Sequence, residues 1–108
     1  MGYRVELTEL AKNDLLEIAK YLSSFYPETA SKALDDIWEK FDIIEDNPHL
    51  YPCYEKNAKL RKAVATHYLI FYHPNDETKQ AMIYRVIRAS WNVEQHLNNY
   101  FNQKDELL

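Results

Sequence analysis

Hydrophobic and polar residues alternate at the start of this chain, take up a helical period, and then alternate again. Residues 3–7, YRVEL, put Val5 and Leu7 on one side of a short strand. After Thr8 the apolar positions Ala11, Leu15, Ile18, Leu22 and Phe25 recur at steps of four and three, which on a helix form one buried stripe. Thr8 offers the side-chain oxygen of an N-cap, and Glu9 sits where the helix dipole favours an acid. Pro27 suits a first helical turn and not an interior, so this helix should stop near Phe25 or Tyr26. A second helix is expected from about Pro27 to Asp46. Its apolar face is Ala30, Ala33, Leu34, Ile37, Trp38, Phe41 and Ile44, with Asp35, Asp36, Glu39, Asp42 and Glu45 in water. Asn47-Pro48 ends it.

Two amphipathic helices joined this closely predict an antiparallel hairpin, packed stripe to stripe or together onto a sheet. Residues 47–59 hold two prolines and no sustained period, which predicts an ordered loop. Strand character then returns. LRKAV at 60–64 is one strand, and HYLIFYH at 67–73 is apolar on both sides, as a central strand covered on both faces would be. A turn follows with Pro74, Asn75 and Asp76, and QAMIYRVIR at 80–88 is the next strand. Residues 93–102 could add a short helical tail presenting Leu97, Tyr100 and Phe101. The expected fold class is α+β: an N-terminal strand, an antiparallel helical hairpin on a small, mostly antiparallel sheet, and the tail. Residues 1–108 are read as one domain, because a chain of 108 residues can bury one real core.

Composition narrows the chemistry. Glycine occurs once, at Gly2, so a phosphate-cradling glycine loop is excluded. Cys53 is the one cysteine, which excludes an internal disulfide and a cysteine-rich zinc site; it reads as a partly buried thiol. His49, His67, His73 and His96 lack metal-ligand spacing, so no metal or other cofactor is expected. No apolar run approaches the ~20 residues of a membrane span and no leader opens the chain, so a cytoplasmic location is expected. The net charge of −4 is unevenly spread: residues 1–50 carry 5 basic and 11 acidic side chains, residues 51–100 carry 7 and 4. The second half is mildly basic, short of the strong excess of a dedicated nucleic-acid binder.

That half contains the candidate functional residues. Lys56, Lys59, Arg61, Lys62, Arg85 and Arg88 are interleaved with Tyr68, Phe71, Tyr72, Tyr84 and Trp91. Such a mixture can stack bases and hold phosphates, but aromatic residues are also what a two-faced core strand contains. Strand parity puts Arg85 on the side of Ile83 and Ile87, and Arg88 on the side of Met82, Tyr84 and Val86. On that reading the two arginines cannot form one cluster, and Arg88 at the strand end is the freer.

The opening YRVELTELAKNDLLEIAKYL, the prolines at 48 and 52, LRK at 60–62, YLIFY at 68–72 and YRVIRASWNVEQHL at 84–97 resemble the RelE/ParE superfamily of toxins from bacterial toxin–antitoxin operons. RelE-type members are ribosome-dependent mRNA endonucleases. They carry an arginine in the middle strand, basic residues after the last strand and usually a Tyr or His near the C-terminus. The resemblance puts Leu69 at the first of these positions, and Ser90 and Trp91 at the second. Those side chains neither transfer a proton at neutral pH nor offset a developing phosphorane charge, and RNA cleavage through the 2′-oxygen needs both. The resemblance is therefore closer to the ParE branch, described as poisons of DNA gyrase and associated with plasmid stabilization. It implies a non-enzymatic toxin held by a cognate antitoxin, with Lys59, Arg61, Lys62, Tyr84, Arg88 and Trp91 as partner-contact residues. The alternatives are an endoribonuclease acting on RNA at the ribosome through Arg61, Arg88 and His96, or an inactive homologue that binds only the antitoxin.

Overall fold

The computed structural model describes residues 2–90 together with Val93 and Leu97. The order of elements is β1 (Arg4–Leu7), α1 (Glu9–Phe25), α2 (Ala30–Asp46), β2 (Cys53–Tyr54), β3 (Asn57–Ala65), β4 (Tyr68–Asn75) and β5 (Gln80–Arg88). The five strands form one sheet in the order β1-β5-β4-β3-β2, with β1 parallel to β5 and the other pairs antiparallel. Both helices lie on one face, so the α+β expectation holds. Among the described residues no helix is long and apolar enough to cross a membrane.

The core between helices and sheet comprises Ala11, Ile18 and Leu22 of α1 and Ala30, Ile37, Phe41 and Ile44 of α2. They meet Ala63, Ala65, Ile70, Tyr72, Ile83 and Val86 of the sheet. On the opposite face Leu60, Phe71 and Ile87 are buried with Leu97, while Tyr54, Leu69, Tyr84 and Val93 pack around them. This explains why β4 is apolar on both sides: it is the central strand of a sheet covered twice. Of the tail expected over residues 93–102, Val93 and Leu97 are helical and Leu97 is buried; Tyr100, Phe101 and the others lie outside the described residues.

Thr8 caps α1 as expected, its hydroxyl accepting from the Ala11 N–H at 3.1 Å. Several boundaries and faces differ from the sequence expectation. The second helix begins at Ala30, because residues 27–29 form the turn between the helices. The Thr29 hydroxyl donates back to the Tyr26 carbonyl and makes no cap bond to the first turn of α2. Phe25 belongs to the α1 stripe by phase, yet it is 67% exposed. Tyr21 already meets Arg88 at the last residue of β5, so Phe25, one turn further on, overhangs the sheet. Trp38 is 51% exposed; a step of 100° from the fully buried Ile37 carries it to the flank of α2, where it packs edge-on against Phe41.

The segment expected to be a loop contains a hairpin. Tyr54 pairs with Asn57 across Glu55 and Lys56, and β3 therefore starts three residues before Leu60. Cys53, on this short edge strand, is exposed and not partly buried. Tyr72, fully buried, fixes the preceding segment by donating its hydroxyl to the Pro48 carbonyl at 2.7 Å.

The largest departure is inside β5. Phe71 pairs with Arg85 and Tyr72 with Ile83, so Tyr84 is the extra residue of β5 at this point of the register. This is a β-bulge, and it reverses the alternation. Ile83 and Val86, which simple parity separates, both face the helices, while Tyr84 and Ile87 face the other side. The start of α1 clamps this bulge. The Thr8 N–H donates to the Ile83 carbonyl at 3.1 Å, and the Thr8 hydroxyl to the Tyr84 carbonyl at 3.0 Å. Asp14, buried, accepts from the Val86 N–H at 3.0 Å and takes the Arg85 guanidinium through Nε at 2.7 Å and Nη2 at 2.9 Å.

Candidate interaction surface

The bulge decides where the arginines of β5 act. Arg85 reaches Asp14 of α1, and Arg88 lies over the Tyr21 ring of the same helix at 4.8 Å. The parity argument that put them on opposite sides is corrected: both turn toward α1. They still meet points seven residues apart on that helix, about 10 Å, so they do not form one charged cluster.

Arg88 closes one end of a groove of about 560 Å³. Its walls are the end of α1 with Tyr21, Leu22 and Tyr26, and the start of α2 with Thr29, Lys32, Ala33 and Asp36. The β3–β4 hairpin with Thr66 and His67, together with Tyr68, completes it. The hairpin is held in place by the Thr66 hydroxyl, which donates to Asp36 Oδ2 at 2.7 Å. That bond steadies a β-branched residue at φ 60°, a conformation such residues rarely adopt. Asp36, expected to face water, thus has a structural partner.

Electrostatics in the groove centre on Arg88 and three phenols. The guanidinium beside Tyr21 holds its phenol below the ordinary tyrosine range, with a smaller contribution from Tyr26. Reciprocally, Tyr21 raises the pKa of Arg88, against the opposing effect of burial. Burial pushes the Tyr68 phenol up, and the nearby Arg88 charge partly offsets this. The guanidinium is thus a fixed positive charge over an aromatic surface.

The other expected contact residues are scattered. Arg61 turns its Nη1 to the Tyr51 carbonyl at 2.6 Å and, at 3.4 Å, to that of His49, so it fastens the segment after α2. Lys62 lies over the Tyr54 ring at 5.8 Å, and Tyr84 packs in the cluster on the face away from the helices. Lys59 is exposed on β3, where its carbonyl accepts from His73 Nδ1 at 2.7 Å. Trp91 and His96 lie outside the described residues. The structure therefore separates Arg61, Lys62 and Arg88. It brings Arg88 together with residues the sequence reading passed over: Tyr21, Tyr26 and Lys32. A signal for them was present, since Tyr21, Phe25 and Tyr26 crowd aromatic rings at the end of α1, where the stripe has no sheet left to cover. Among the described residues no group of His, Cys, Asp and Glu could hold a metal ion.

At the positions the resemblance assigns to ribonuclease chemistry, Leu69 is half-buried in the cluster opposite the helices and Ser90 is exposed. The backbone as a whole matches solved toxin structures. The chromosomal ParDE system of Pseudomonas aeruginosa superposes with a TM-score of 0.71 at 19% identity, over 82% of this chain and 98% of that one. The RelBE2 toxin–antitoxin complex of Mycobacterium tuberculosis gives 0.57 at 22% identity, over 82% and 99%. An Escherichia coli RelE mutant bound to an antitoxin RelBc peptide gives 0.61 at 14% identity, over 91% and 95%. At these identities the likeness defines the class of fold, that of the RelE/ParE toxins. No curated protein matches the sequence. The family model described as "ParE toxin of type II toxin-antitoxin system, parDE" matches residues 5–92, and the chain belongs to that family.

Proposed function

We propose that this chain is the toxin of a type II toxin–antitoxin pair that arrests growth by binding a protein target, DNA gyrase, and that an antitoxin from the same operon neutralises it. The observation that carries this reading is the family match over residues 5–92. The side chains agree with it. A ribonuclease needs groups that move a proton and offset phosphorane charge, and Leu69 and Ser90 can do neither. Arg61, one member of the substitute set, is committed to backbone carbonyls. The acidic balance also suits a protein target better than a phosphate polymer. Antitoxin-bound structures among the relatives support a partner of that kind. Lys59, Lys62 and Tyr84 are assigned to partner contact on β3 and β5, apart from the groove at Arg88.

Controlled expression with and without the neighbouring gene tests the pairing: growth should stop with this chain alone and resume with both. Purified protein should inhibit supercoiling by gyrase and leave mRNA intact on ribosomes. Ribosome-dependent cleavage that disappears in Arg88→Ala or His96→Ala would refute the proposal and place the chain among the endoribonucleases.

A further inference from the structure

We propose that the groove at Arg88 is a docking site for an acidic segment of the antitoxin, with a carboxylate on Arg88 and an adjoining apolar side chain on the rings of Tyr21, Phe25 and Tyr26. This rests on reading the chain as a toxin held by an antitoxin, and it names the surface and the chemistry of that contact.

Three observations point there. First, the Arg88 guanidinium lies 4.8 Å over the Tyr21 ring and makes no ion pair among the described residues. Arg85, on the same strand, has Asp14. Arg88 is therefore oriented by a ring while its charge is left for an incoming anion, and exposed Lys32 on the facing wall adds a second cation. Second, the α1 side of the groove is aromatic, with Tyr21 and Tyr26 in its wall and Phe25 stacked beyond them on Tyr21. Phe25 is 67% and Tyr26 51% exposed, and both rings pack on Tyr21, at 5.1 Å and 6.0 Å. Rigid aromatic rings beside an arginine are the side chains from which interface hot spots are most often built. Third, the walls are fixed, by the bond from Thr66 to Asp36 and by the ring contacts along α1, so little ordering cost is left for binding.

The surroundings favour an acidic peptide over nucleic acid. A phosphate backbone needs a row of cations, whereas this groove has only Arg88 and Lys32 as Arg or Lys side chains among its described lining residues, with Asp36, held by Thr66, on the same wall as Lys32. One carboxylate on Arg88 with an apolar neighbour would match that charge and cover the rings. A small inorganic anion would leave those rings in water.

The test uses the purified chain and, as the probe, the protein encoded by the reading frame beside it, titrated by calorimetry. Arg88→Ala should raise Kd at least about thirtyfold, as truncation of one partner of a desolvated charge pair does. Tyr26→Ala should weaken binding about tenfold or more, as loss of an aromatic anchor does. Lys32→Glu, an exposed substitution that leaves the core untouched, should weaken it in the same direction, which guards against a folding defect in Arg88→Ala. Lys79→Ala, at the far end of the sheet over the Tyr3 ring, should stay within about twofold, as most interface-distant changes do. If the wild type binds and Arg88→Ala, Tyr26→Ala and Lys32→Glu all bind equally well, the groove assignment is overturned while the antitoxin reading stands. If the wild type does not bind at all, the antitoxin reading falls and the groove assignment with it. A single-stranded RNA that binds the wild type and not Arg88→Ala, with antitoxin binding unaffected, would assign the groove to nucleic acid and overturn the proposal.

Discussion

Replacing Asp14 with alanine removes the acceptor of three N–H groups at once: Arg85 Nε at 2.7 Å, Arg85 Nη2 at 2.9 Å and the Val86 N–H at 3.0 Å. The two side chains are 10% and 11% exposed, so water cannot easily take the place of the carboxylate. Truncating one partner of a buried ion pair costs about 3–5 kcal/mol, because it leaves the other charge desolvated. Arg85 has a further interaction besides these, which places the expected loss toward the lower end, about 3 kcal/mol. In a domain of this size that lowers Tm by roughly 12 °C or more. The assay is urea unfolding at neutral pH, where the midpoint should fall with an unchanged slope. Asp14→Asn should lose less, since its amide oxygen still accepts from the bulge. The double variant Asp14→Leu with Arg85→Met should recover much of the loss, because an apolar pair carries no desolvated charge. An Asp14→Ala protein within about 1 kcal/mol of the wild type would refute the argument that this carboxylate holds the bulge, since a buried pair cannot be lost so cheaply.

Two further outcomes are expected. Burial pushes the Tyr72 phenol from its ordinary 10.0 up to about 12; a folded pKa above the unfolded one means that its contribution is complete below pH 10 and is lost as pH rises through 12. An alkaline titration of unfolding should show this loss, and Tyr72→Phe should flatten it over the same window while removing the bond to Pro48, about 1 kcal/mol at neutral pH. Trp38→Ala, which would cost several kcal/mol for a core tryptophan, should cost about 1 kcal/mol, the worth of its edge contact with Phe41; a loss above 3 kcal/mol in the same urea assay would contradict its exposure.

The periodic parts of the fold were legible because burial on one side imposes a period. Thr8 as a cap, the stripe from Ala11 to Leu22 and the two-sided β4 all follow from that rule. What failed lay where the period alone does not say how far a neighbour extends. Phe25 and Trp38 have the right phase or nearly so, yet each lies at the margin of the contact, one past the sheet and one on the helix flank. Asp14 reads as one more polar residue on an amphipathic helix. Its burial makes sense only beside Arg85, seventy-one residues away, and no local pattern contains that pairing. The hairpin at Cys53–Tyr54 escaped for a related reason, since a strand of two residues is too short to show a period.

The same limit governs the candidate site. Counting Arg61 and Arg88 as equivalent members of a basic half treats charge as if it were all available. The backbone carbonyls of His49 and Tyr51 take up Arg61, so its contribution is to the path of the chain after α2. Arg88 owes its different role to Tyr84, the extra residue at the bulge, because that insertion turns the end of β5 toward α1. The bulge carries no glycine to announce it; Thr8 and Asp14 hold it from the other end of the sequence. A tertiary clamp at the start of α1 thus determines that an arginine at the end of the last strand faces Tyr21 and the groove. Without that clamp, simple alternation would turn Arg88 away from the helices, to the face of Leu60 and Phe71, and the groove would lose the cation on which the proposed contact with an acidic segment depends.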